Sequence, residues 1–168
     1  MTLKDTIIAV FAVALIGALG SLWLAPAAPQ QAPDITLTTL QGNKFSMPAL
    51  RGRPVLVNFW ATTCQPCVDE LPDLIELYRN LSPRGFTVIG IAMAYDPPHR
   101  VSAFSKALQI PYPIALDINS DAARAFGDVR LTPTSFLVAP DGRIVQKITG
   151  TLDLRRVRAQ VVDMLSPP

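Results

Sequence analysis

Cysteine is scarce in this sequence: Cys64 and Cys67 are the only two. That excludes a disulfide-stapled scaffold. A ring closed across two intervening residues also removes little entropy from the unfolded chain, so redox chemistry explains the pair better than stapling. Histidine is scarcer still. With His99 alone beside two cysteines, the four ligands of a structural zinc site are hard to assemble, and His99, after a Pro-Pro pair, reads as an exposed loop residue. No long run of one charge sign occurs either. Lys plus Arg number 15 against 13 for Asp plus Glu, a net charge of +2, which supports neither a nucleic-acid groove nor a polybasic membrane patch.

What is present begins with a hydrophobic start. Residues 7–25, IIAVFAVALIGALGSLWLA, carry no charge. As a helix they would span about 28 Å, close to the ~30 Å hydrocarbon core of a bilayer. The segment reads as an uncleaved membrane anchor or as an export signal, for which Ala25-Pro26-Ala27 offers a small-x-small cleavage site. The weak positive bias of Lys4 and the amino terminus predicts that everything downstream is exported. PAAPQQAP, residues 26–33, reads as an extended tether. The organisation expected is therefore 1–25 anchor or signal, 26–33 proline-rich tether and 34–168 a single folded domain.

Within that domain DITLTTL alternates, and Gly42-Asn43 turns the chain toward Lys44, Phe45 and Ser46, predicting a small hairpin. Residues 54–61, PVLVNFWA, form an apolar run broken only by Asn58, the pattern of a central strand covered on both faces. From Val68 the period changes. Val68, Leu71, Leu74, Ile75, Tyr78 and Leu81 share one helical face, with Pro72 expected to kink the helix. FTVIGIAMA reads as a second buried strand. A helix beginning at Pro97-Pro98 would turn Val101, Phe104, Ala107 and Leu108 inward. Residues 112–116 suggest a short strand and 122–126 a short helix ended by Gly127. TSFLVAP and RIVQKITG flank an Asp141-Gly142 turn, predicting a hairpin. Asp153 would cap a last helix with Val157, Val161 and Leu165 inward. Strand, helix, strand, helix, hairpin and closing helix make an α/β three-layer domain.

The cysteines fall just after the first buried strand, at the start of the helix, with Gln65 and Pro66 between them. Peptide N–H groups of a first helical turn lack intrahelical acceptors and favour an anion. Cys64 is placed where a thiolate gains that stabilisation, and Cys67, one turn inward, is close enough to resolve a mixed disulfide. A thiolate pair is also open to copper, and a purely structural bridge is the remaining reading.

The segment VLVNFWATTCQPCVDELPDL resembles the active-site stretch of membrane-anchored proteins of the TlpA/ResA group. The lead-in GNKFSMPALRGRPVLVNFWA, the CxPC followed by Glu70, the LTPTSFLV segment and the DGRI hairpin extend the likeness over residues 33–165. The resemblance implies a thioredoxin-like three-layer fold with a central mixed β-sheet. It implies that Cys64 is the exposed nucleophile, Cys67 the resolving cysteine, Pro66 the proline that tunes the pair, and Pro133, after Thr132, a cis-proline facing the disulfide. Glu70 resembles the family glutamate that influences thiol ionisation and proton movement. Three positions from Cys67, it could share its helix face; the plain alternative is an exposed Glu. Two departures stand out. Asn58 replaces the acid that thioredoxins carry in the central strand, which leaves Glu70 the better proton handler. Thr63 replaces the tryptophan usual before the first cysteine, making the surface there smaller and more polar. Trp60 remains, and core packing is its simplest role.

The apolar start and the cysteine pair, together with the resemblance, imply an exported thiol–disulfide oxidoreductase on the outer face of a bacterial inner membrane, its domain in the periplasm, or soluble there after signal cleavage. Its dithiol would reduce a disulfide-containing client protein, apocytochrome c among the candidates, and be recharged by a membrane thiol electron donor. No cofactor beyond the redox-active disulfide is needed. A disulfide oxidant, a copper-handling thiol protein and a noncatalytic binding module are the alternatives.

Overall fold

In the computed structural model of the chain, residues 4, 14–17 and 30–166 are described. Most of the apolar segment 7–25, and with it the reading as anchor or signal, lies outside the described residues. No helix among the described residues is long and apolar enough to cross a membrane.

The elements run β1 (Thr36–Thr38), β2 (Lys44–Ser46), β3 (Val55–Trp60), α1 (Gln65–Leu81), β4 (Thr87–Ala92), α2 (Pro98–Ala107), β5 (Ile114–Leu116), α3 (Asp121–Ala125), β6 (Thr134–Val138), β7 (Ile144–Thr149) and α4 (Leu154–Leu165). β1 and β2 pair as an antiparallel hairpin. The other five strands form one sheet in the order β5-β4-β3-β6-β7. β3 is parallel to β4 and antiparallel to β6, so the sheet is mixed.

The apolar run of residues 54–61 becomes the central strand because every residue of β3 is buried. Successive side chains point to opposite faces. Leu56 and Trp60 pack with Leu71 and Leu74 of α1, Val101 of α2, and Val157 and Val161 of α4. Val55, Val57 and Phe59 pack on the other side with Ala122 and Ala123 of α3, Phe126, Phe136 and the hairpin residues Leu37 and Met47. Phe59, Phe126 and Phe136 meet there at ring-centroid distances of 5.5, 6.0 and 4.9 Å. The layers are thus helices, sheet, and a thinner cover of α3 and hairpin.

Asp153 caps α4, accepting from the N–H groups of Arg155 and Arg156 at 3.1 Å. Pro72 stands inside α1 without ending it. Two local expectations are corrected. In α2, Val101 is buried and Phe104 packs on Trp60 at 5.9 Å, but Ala107 and Leu108 are exposed. The helix ends there, the chain turns through Gln109 at φ 49°, and Ile110 reaches the core in place of Leu108. His99 sits in the first turn of α2, exposed, rather than in a loop. Ahead of Asp34 an isolated bridge joins Gln31 to Arg143, and Ala32 N–H donates to the Gly142 carbonyl at 2.9 Å.

Candidate active site

The site begins where β3 runs out. Ala61 to Cys64 form a turn closed by the Cys64 N–H donating to the Ala61 carbonyl at 3.1 Å. Cys64 is the N-cap of α1, and its Sγ accepts from the Cys67 N–H at 3.3 Å. That contact is the physical content of the anion-favouring helix start: a peptide donor without an intrahelical partner points at the sulfur. Pro66 fits the first turn because its missing N–H removes no helical bond. Gln65 is exposed and donates to Asp69 at 2.7 Å.

Cys64 and Cys67 are joined as a disulfide with Cα atoms 5.2 Å apart. The two sulfurs are not equivalent. Cys67 is 1% exposed, whereas Cys64 is half-buried and bordered by exposed Thr63, Gln65 and Pro66. Only Cys64 is presented to an incoming disulfide.

The sheet register brings Pro133 to the same end. Phe59 pairs with Thr134 across β3 and β6, so one step further Pro133 lies across from Trp60, at the root of the cysteine turn. The Thr132–Pro133 bond is cis. The Pro133 carbonyl accepts from Gly150 N–H at 2.8 Å, and Thr134 Oγ1 donates to the Leu131 carbonyl at 2.8 Å. Trp60 is buried and packs against Phe104, so core packing is its role.

Glu70 is buried, not a surface residue of the opening helix. Asn58 Nδ2 donates to its Oε1 at 3.1 Å and to Ser135 Oγ at 2.9 Å, while the Leu152 N–H donates to its Oε2 at 3.3 Å. One carboxylate therefore ties α1 to the central strand and to the segment leading into α4. Burial pushes its pKa up from the usual carboxylate range, and the hydrogen bonds from Leu152 and Asn58 oppose that rise. Burial, and secondarily the Glu70 charge, also pushes the Tyr112 phenol up. The hydrogen bonds of Glu70 go to Asn58 and Leu152, and not to Cys67, three positions before it on α1.

Sequence reasoning missed Ser135, Leu152, Tyr95 and Asp96. Ser135 is a small polar residue between Thr134 and Phe136, and its place opposite Asn58 depends on a pairing between strands distant in sequence. Asp96, 4% exposed, accepts from the Thr62 N–H at 2.5 Å and from Thr62 Oγ1 at 2.8 Å. Its position just before Pro97-Pro98 gave no sign of this contact. Among the described residues no group of three or more His, Cys, Asp or Glu gathers in a way that could hold a metal ion.

Residues 28–147 match the AhpC/TSA family. The thiol-disulfide oxidoreductase ResA of Bacillus thuringiensis subsp. konkukian is 34% identical over 121 residues, covering 72% of this chain and 69% of that protein. The ResA of Geobacillus thermodenitrificans is 31% identical over 143 residues, 85% and 80% of the two chains. The chain belongs to the TlpA/ResA-like family. A thiol:disulfide interchange protein of the thioredoxin family from Chlorobium tepidum TLS superposes with a TM-score of 0.76. It shares 32% identity, and the match covers 84% of this chain and all of that one. The mixed sheet and its helices are thus a thioredoxin-like fold, and the protein is a thiol–disulfide oxidoreductase. As in its family, the redox group is a disulfide, here Cys64–Cys67.

Proposed function

We propose that this TlpA/ResA-like protein works as a reductant of protein disulfides on the exported side of a bacterial inner membrane, with apocytochrome c as a client. The observation that carries the reading is the asymmetry of the pair: a half-buried Cys64 capping α1 at the end of the sheet where cis-Pro133 precedes β6, and a buried Cys67 three residues later. In the dithiol form the Cys64 thiolate attacks one sulfur of the client disulfide. A mixed disulfide forms and the first client thiolate leaves, taking a proton from solvent. Cys67 then loses its proton and attacks Cys64 Sγ, releasing the second client thiol. The client gains two electrons and two protons, and the protein is left as the Cys64–Cys67 disulfide. A thiol protein of the membrane returns the electrons by the reverse exchange.

Glu70 is the group we assign to the proton of Cys67. Burial already raises its pKa, which brings a carboxylate closer to the range in which it can take up and release a proton near neutral pH. Asn58 cannot titrate and serves to hold it. The apolar run of residues 7–25 supports the membrane location, and the name of the ResA relatives supports thiol–disulfide exchange.

A Cys67→Ser variant, expressed in full-length form in a cell that matures cytochrome c, tests the reading. It accumulates client adducts on Cys64 that dissociate on reduction, with an apocytochrome among them. Absence of any reducible adduct on Cys64 would overturn the reductive role. Adducts without an apocytochrome would overturn the client assignment alone.

A further inference from the structure

Three loops leave the sheet at the active-site end. They are the cysteine turn after β3, the segment 93–97 after β4, and the segment 131–133 before β6. The middle one is in contact with both of the others. Met93 N–H donates to the Trp60 carbonyl at 3.0 Å, continuing the β3–β4 pairing past the sheet. Asp96 then folds back, its N–H on the Met93 carbonyl at 2.9 Å, and both of its carboxylate oxygens are taken by Thr62. Thr62 is two residues before Cys64. On the other side the Tyr95 hydroxyl lies 3.3 Å from Thr132 Oγ1, the residue joined to cis-Pro133. The Tyr95 ring is 59% exposed, and Leu131, beside Thr132, is 66% exposed.

We propose that Tyr95 and Asp96 are positioning residues that set the cysteine turn against the cis-proline loop, and that the Tyr95 ring with Leu131 selects an extended apolar client segment flanking the disulfide. This rests on the reading of the protein as a reductant of protein disulfides. A buried carboxylate is costly unless its oxygens are hydrogen-bonded, and here both bonds serve one residue of the cysteine turn. Asp96 also precedes Pro97, and a residue before proline is confined to extended backbone. The Pro97-Pro98 pair next in the chain starts α2, so the strut has little backbone freedom.

The consequence for chemistry is geometric. Exchange needs the client sulfur in contact with Cys64 Sγ and in line with its own disulfide bond. When the client chain lies along Thr132 and against Tyr95, its sulfur is delivered in a fixed register to Cys64, and a misplacement of about 1 Å costs on the order of 100-fold in rate. A small aromatic disulfide has no flanking chain to hold, so its rate depends on Cys64 alone. The Tyr95 side chain, held at Thr132, and Leu131, the residue before it, are both exposed, which suits an extended segment with an apolar residue next to its cysteine.

The experiment compares the reduced protein with insulin and with dithiobis(nitrobenzoate) as oxidants. In Tyr95→Ala and Asp96→Ala the ratio of the insulin to the small-disulfide rate constant falls by about 10-fold or more. Asp96→Asn recovers most of it, because an amide still accepts from the Thr62 N–H and donates to the Thr62 hydroxyl. An unchanged ratio overturns the proposal, as does a parallel loss on both substrates, which is what general damage to the turn gives. Tyr95→Ala removes an exposed side chain and decides the matter even where Asp96→Ala fails to fold. A wild-type protein unable to reduce insulin while consuming the small disulfide counts instead against the reductant reading.

Discussion

Replacing Glu70 by glutamine removes a buried charge and keeps its shape, and the hydrogen bonds around it set the cost. The carboxylate accepts from Asn58 on one oxygen and from Leu152 N–H on the other. Glutamine has a single carbonyl oxygen, so one of the two donors is left facing an amide N–H. Leu152 is half-buried and its N–H can turn to water, which puts the loss near the low end of the ~1–3 kcal/mol for an unsatisfied group. Against this stands the cost of the buried charge. Burial raises the Glu70 pKa above its ordinary value of 4.5, so the folded state holds the proton more tightly than the unfolded one. The stability tied to that proton is complete below pH 4.5 and is lost as pH rises through the folded-state pKa, at up to about 1.4 kcal/mol per pH unit. The oxidised Glu70→Gln protein is therefore less stable than wild type by ~1 kcal/mol at pH 4. Its deficit shrinks as the pH rises. Urea unfolding of both oxidised proteins from pH 4 to 8.5 measures the difference. A gap that is constant with pH, or widens toward high pH, would refute a buried carboxylate of raised pKa. In the reduced proteins the same substitution removes a buried carboxylate three positions after Cys67 on α1. The pH–rate profile of disulfide exchange then moves to lower pH; superimposable profiles would remove Glu70 from the proton path, and since coupled groups titrate together, only the macroscopic curve is read.

Brief iodoacetamide treatment of the reduced protein labels Cys64 well ahead of Cys67, since burial shields the second sulfur; preferential labelling of Cys67 in the mass spectrum would reverse the assigned roles. Gly90→Ala places a Cβ 2.6 Å from Ile114 Cδ1, 3.1 Å from Trp60 Nε1 and 3.4 Å from Tyr112 Cε2. The overpacking costs about 1–3 kcal/mol, seen as a lower urea midpoint with unchanged slope, and an unaltered midpoint would mean that Ile114 rotates away freely. The full-length chain stays with the membrane through a carbonate wash; a soluble mature chain starting near Ala28 would show a cleaved signal instead.

Local pattern determined much of this molecule. The unbroken burial of β3, the change of period at Val68, the Asp141-Gly142 turn and the Asp153 cap are each encoded within a few residues, because side-chain periodicity and capping act over one or two turns. The cysteine pair was legible for the same reason: Cys64 caps α1 and Cys67 comes one helical turn later. The departure at Asn58 was visible as a polar break in an apolar strand, but its partner was not. Only the antiparallel pairing of β3 with β6 sets Ser135 against Asn58, and only the passage of the chain from β7 into α4 carries the Leu152 N–H to Glu70. Both contacts join segments far apart in sequence, and a single side chain gives no periodic sign of a distant partner. The burial of Glu70, which decides its protonation, was for that reason undetermined until the layers closed over it. The same holds for Asp96, an acid in a proline-flanked loop whose local chemistry reads as surface. Its partner Thr62 lies in another loop, and the parallel register of β3 and β4 is what brings the two together.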